Sequence, residues 1–180
     1  MSTDARGFSL VELLVFIVVV GVAVTGVLAV YSQTARSSAD PVVHKQALAI
    51  AESLLEEALS KPYTHCDPDD ANADTAASPS DCATLPEALG PEAGETRGAG
   101  LVPLDNVNDY HGLALAGISD VAGTAVPGLD GYSATVQVAP AGAFNGIPAG
   151  ETLRVTVNVS GPGNLGIRLE GYRTRHAPNP

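Results

Sequence analysis

The chain has no tryptophan, three phenylalanines and five tyrosines, which excludes a core built on large aromatic rings and leaves Val, Leu, Ile and Ala to fill the interior. Basic residues are scarce too: nine Lys and Arg stand against twenty Asp and Glu, a formal net charge of −11. Between residues 52 and 151, sixteen acidic residues face only Lys61 and Arg97. Phosphate binding needs clustered cations, and the sole basic concentration, Arg154, Arg168, Arg173 and Arg175, is sparse, so the composition argues against a nucleic-acid partner. His44, His65, His111 and His176 are scattered, and only His65 adjoins a cysteine. Two cysteines and one histidine without zinc spacing give no metal site. No nucleophile with its base and no acid–base pair is discernible, so neither an enzyme nor a cofactor is expected. Gly and Pro together number 32, below the level of low-complexity disorder but enough for many turns.

What is present is concentrated at the N-terminus. Residues 8–31, FSLVELLVFIVVVGVAVTGVLAVY, carry a single charge, and as a helix they would be about 36 Å long at roughly 1.5 Å per residue, enough to cross a bilayer. Nine valines favour a strand in water, but lipid cannot satisfy an open backbone, so a lone apolar segment of this length is predicted to be helical. Glu12 is the anomaly, because a carboxylate at bilayer depth costs about 2.5–3.5 kcal/mol or more unless something neutralises it. A cut between Gly7 and Phe8 would place a new α-amino group one helical turn from this carboxylate or from a neighbour's copy. A secretory signal peptide has a shorter apolar core. An ordinary membrane anchor explains the length but not the glutamate, and snorkelling explains tolerance of Glu12 but not its spacing.

Arg6-Gly7-Phe8-Ser9-Leu10-Val11-Glu12-Leu13-Leu14 resembles the processing motif of type IV prepilins. The resemblance implies cleavage after Gly7 by a prepilin peptidase, methylation of the new N-terminal Phe8, and pairing of Glu12 with a neighbouring subunit's terminal amine during assembly. It implies a leader over residues 1–7, in which Arg6 is the only cation and Asp4 opposes it, so the positive-inside rule orients the chain weakly. The implied location is the inner membrane, single-pass, with a cytoplasmic N-terminus and a periplasmic head, and then a surface filament. The implied partners are membrane lipid before assembly, the inner-membrane assembly platform, and other major and minor pilins.

Beyond the span, 8–31, comes a polar step, and Asp40-Pro41 can cap and begin a second helix, or sit in one continuous kinked helix. Val43, Ala47, Ile50, Ala51, Leu54 and Ala58 follow helical spacing, with Lys45, Glu52, Glu56 and Glu57 elsewhere around the axis, so residues 32–60 are predicted to be an amphipathic helix packed on a sheet. Residues 61–130 read as an irregular loop region with short structured pieces. Cys66 and Cys82 lie within it, and an even pair in an exported head reads as a disulfide contributing about 3 kcal/mol. Alternating runs at 131–138, 153–159 and 165–172 predict an antiparallel sheet over 131–172, followed by a tail at 173–180. The fold class expected is α+β, a long N-terminal helix on a small antiparallel C-terminal sheet.

Asp40-Pro41-Val42, residues 51–57, Asp109-Tyr110-His111-Gly112 and residues 169–173 are similar to MshD-type minor prepilins of mannose-sensitive haemagglutinin (MSHA) pili. That similarity implies a low-abundance subunit that initiates or caps the filament and contributes to attachment. A pseudopilin of a type II secretion system and a tip adhesin are the alternatives, the latter needing an exposed patch for which Tyr63, Tyr110, Tyr132 and Tyr172 are candidates. Two further motifs have plainer readings. Residues 161–166 fit G-x-G-x-x-G, yet a strand follows, so a hairpin turn is expected. Asp70, Asn72, Asp74 and Asp81 occupy positions 1, 3, 5 and 12 of a calcium loop, but Thr75 replaces its glycine and Asp81 is short for the bidentate role, so a solvated acidic loop is expected.

Overall fold

The structure is a computed structural model that describes residues 7, 9–98, 100, 102–143 and 145–175, with backbone only for residues 35–40. Residues 1–6, Phe8 and residues 176–180 of the expected tail lie outside the described residues. A single helix α1, Leu10–Leu59, is followed by four strands: β1 Ala114–Ala116, β2 Ser133–Pro140, β3 Thr152–Gly161 and β4 Leu165–Thr174. The chain divides into two compact units at residues 42 and 43.

The N-terminal unit is helix. The most apolar window of its stretch Leu10–Thr34 has a mean hydropathy of 3.0, and none of that window is buried. Thr25 donates its hydroxyl to the Gly21 and Val22 carbonyls at 3.0 and 2.9 Å, and Ser32 donates to Ala29 at 3.1 Å. The hydroxyls of this stretch are thus satisfied by their own helix, as a lipid environment requires. The possible break at Asp40-Pro41 is absent: α1 is one helix with Pro41 inside it. Proline there forfeits one backbone hydrogen bond, which the helix tolerates because the turns on either side remain hydrogen bonded.

The second unit, from Val43, is α+β as expected. Strands β1 to β4 form an antiparallel meander in sequence order. Its register opposes Ala134 to Val159, Val136 to Val157 and Val138 to Val155, and Val157 to Leu169 on the far side. Alternation places Ala134, Val136 and Val138 of β2 and Val155, Val157 and Val159 of β3 in the interior. Ala47, Ile50, Ala51, Leu54 and Ala58 of α1 complete the same core, so the aliphatic stripe meets a valine sheet. Small residues set the spacing. A Cβ on Gly171 would lie 2.6 Å from Leu59 Cδ1, and one on Gly161 would lie 2.6 Å from the Tyr132 ring. The G-x-G-x-x-G stretch is the β3–β4 turn, with Gly163 and Asn164 at φ 72° and 61°.

Three details go beyond the sequence reading. β1 lies inside the stretch read as irregular and pairs Leu115 with Ala134. Glu57, which periodicity set outside the apolar stripe, takes two of the three Arg97 nitrogens, Nε to Oε1 and Nη2 to Oε2, each at 2.8 Å. Tyr110 donates to the same carboxylate at 3.0 Å. The pair is largely buried, and the hydrogen bonds to Glu57 push the Arg97 guanidinium above its ordinary range. Finally, Tyr63, Tyr110 and Tyr132 are core residues, and only Tyr172 of the four is substantially exposed.

Candidate functional site

Ser9 begins the site. Its hydroxyl accepts the Glu12 amide at 3.3 Å and its carbonyl accepts the Leu13 amide at 3.2 Å, so Ser9 caps the first turn of α1. The sequence reading missed this residue, although the S-x-x-E spacing of Ser9 to Glu12 signals a helix start. Glu12 therefore sits in the first turn, where a negative charge is favoured by the helix dipole by a few tenths to 1 kcal/mol at the surface. That term is smaller than the cost of the same charge in hydrocarbon. Unlike Thr25 or Ser32, an ionised Glu12 has no proton to give to the preceding turn's carbonyls.

Gly7 is described just before this turn. A Cβ there would meet no described atom within 4 Å, and its φ is not in the left-handed region. Nothing in the chain's own packing thus calls for glycine at this position. Phe8, the expected methylation site and new N-terminus, lies outside the described residues.

The apolar surface next to Glu12 is extensive. Leu10 is 76% exposed, and Val11, Leu13, Leu14, Phe16 and Ile17 are exposed as well. Leaving each such side chain in water forgoes about 1.5–3 kcal/mol, so this helix needs a cover that its own unit does not supply.

The remaining predicted residues lie in the second unit. Cys66 and Cys82 form a disulfide, with Cα atoms 5.5 Å apart. The candidate calcium-loop residues have internal roles. Asp70 accepts the amides of Asn72, Ala83, Thr84 and Leu85 at 2.8–3.0 Å, and these bonds hold its carboxyl well below the usual range. Asp81 accepts the Ala77 amide and the Ser78 hydroxyl. The acidic loop is therefore folded upon its own backbone. Asp109-Tyr110-His111-Gly112 is a structured turn: residues 107–110 form a 3-10 helix whose capping box joins Asn106 and Asp109.

Among families, the prokaryotic N-terminal methylation motif matches residues 3–28, which contain Gly7, Phe8 and Glu12. The match supports a type IV prepilin, and with it a pilin or pseudopilin subunit fitted to a membrane by its apolar helix. The α+β architecture described above is consistent with a type IV pilin fold. No curated protein and no solved structure matches the chain.

Proposed function

We propose that the chain is a minor type IV pilin of the MSHA type, cleaved between Gly7 and Phe8, methylated at Phe8, and incorporated into a filament through α1. The observation that carries this reading is the exposed apolar stretch Leu10–Thr34 with Glu12 one turn beyond the Gly7-Phe8 junction. Cleavage by prepilin peptidase creates an α-amine whose cationic form matches the Glu12 carboxylate. In the inner membrane an isolated subunit keeps an expensive charge, whereas the amine of a neighbour neutralises it. Lateral packing of apolar helices then replaces lipid contacts, and repetition of one head-to-tail contact builds a helical assembly. No bond-making step belongs to this role, and its energy comes from burial and charge pairing.

The block similarities at residues 40–42, 51–57, 109–112 and 169–173 support the MSHA-type minor role over that of a trunk subunit. The type II pseudopilin shares every feature of the N-terminus. Deletion distinguishes them, since a minor pilin's loss reduces surface pili while secretion continues. The tip-adhesin reading loses its aromatic patch, because Tyr63, Tyr110 and Tyr132 are interior. The assembly mechanism is tested by Glu12→Ala. Leader cleavage should proceed at near wild-type extent, while the subunit's share in sheared filaments falls at least tenfold. Incorporation at the wild-type level would refute pairing through Glu12.

A further inference from the structure

Six carboxylates that are scattered in sequence converge in the loop region: Asp67, Glu87, Glu92, Glu95, Asp105 and Asp109. Oxygens of Glu92, Glu95 and Asp109 lie within 4.8 Å of one another, as do those of Asp67, Glu95 and Asp105, and those of Asp67, Glu87 and Glu92. Glu95 is 8% exposed, Asp67 6% and Asp109 1%. Among the described residues, none of the six belongs to an ion pair. So many buried acids in one place repel one another, a repulsion relieved by protonation or by a cation between them.

Their hydrogen bonding is lopsided in a consistent way. Asp109 Oδ2 accepts the Asp105 and Asn106 amides at 3.0 and 2.6 Å, while its Oδ1 is buried without a partner. Glu95 Oε2 accepts the Glu92 amide at 2.9 Å, while its Oε1 is buried without a partner. Glu87 Oε1 accepts the Asn108 side-chain amide at 2.8 Å, and again the other oxygen is bare. Glu92 Oε2 and Asp105 Oδ1 are bare as well. One oxygen of each anchored carboxylate is thus fixed by a donor of the fold, and its second oxygen is presented to its neighbours. Outer hydrogen bonds orient metal ligands in this manner.

We infer that the carboxylate cluster around Glu95 binds one calcium ion, with Glu92, Glu95 and Asp109 as principal ligands and Asp67 and Asp105 beside them. An ion with oxygen ligands at about 2.3–2.6 Å joins oxygens up to roughly 5 Å apart, which the observed spacings satisfy. All donors are hard oxygens, with no cysteine or histidine among them, which disfavours zinc and copper. The ligands come from loops and one short 3-10 turn, which suit calcium's variable coordination better than magnesium's strict octahedron. This site runs against the sequence expectation of no metal, and it uses none of the residues of the candidate loop at 70–81. It does not depend on the assembly role.

The test is calorimetric titration of the detergent-solubilised full-length chain with calcium after chelator treatment, together with melting curves. One calcium per chain, with Kd at or below about 10⁻³ M, and a calcium-dependent rise in melting temperature are expected. Glu95→Gln and Asp109→Asn should each weaken binding at least tenfold, while the chelated protein melts no lower than wild type, because an amide relieves repulsion. The exposed Asp130→Asn should bind as wild type. The inference is overturned if wild-type protein shows neither heat nor a melting shift at millimolar calcium. It is also overturned if Asp130→Asn weakens binding as much as Glu95→Gln, or if magnesium binds as tightly as calcium.

Discussion

Asp70 shows how one side chain organises the acidic loop. Its two oxygens gather four backbone amides from residues 72 and 83–85, which ties the start of the disulfide loop to the segment just after it. Asp70→Ala releases those donors and should lower the melting temperature at pH 7. The linkage has a definite sign. Because the folded carboxyl is held below its ordinary value, its contribution is present above the unfolded value near 3.8 and is lost as pH falls through the lower folded value. The melting difference between wild type and Asp70→Ala should therefore be steady from pH 5 to 8 and shrink below pH 4. A difference that grows on acidification would contradict the role. This role was not legible in sequence, because the spacing of Asp70, Asn72, Asp74 and Asp81 suggests a metal, whereas the ligands Asp70 takes are backbone amides that no spacing announces. The partner of Glu57 was hidden for a related reason: helical periodicity sees its own neighbours, and Arg97 is 40 residues away.

At the scale of elements, strands β2, β3 and β4 were legible because Val and Ile or Leu alternate with polar residues over eight to ten positions. β1 was not, since Ala-Leu-Ala is too short to show a period and is a strand only because β2 offers it an edge. The close contact of β3 with Tyr132 predicts that Gly161→Ala destabilises the protein by about 1–3 kcal/mol, because the buried ring must move. Denaturant titration measures this, and a change under 0.5 kcal/mol, the ordinary scatter of surface substitutions, would show that the ring has room. The disulfide staples the loop that carries little regular structure. Cys66→Ser with Cys82→Ser should cost about 3 kcal/mol, read in the same titration, and reductant should bring the wild type to the level of the variant.

For the whole molecule, the sequence told most where physics leaves fewest options. A predominantly apolar run of 24 residues has one stable state in lipid, and a lone glutamate inside it demands a counter-charge. The clustered acids at residues 67–109 lay beyond reach, since it is the loop folding that brings them together. The account as a whole stands on the α-amine that cleavage would create one turn before Glu12. The most direct measurement is mass spectrometry of the N-terminal peptide from the chain isolated in native membranes and sheared filaments. It should begin at Phe8 with one added methyl group, and a peptide retaining residues 1–7 in the filament fraction would contradict the account.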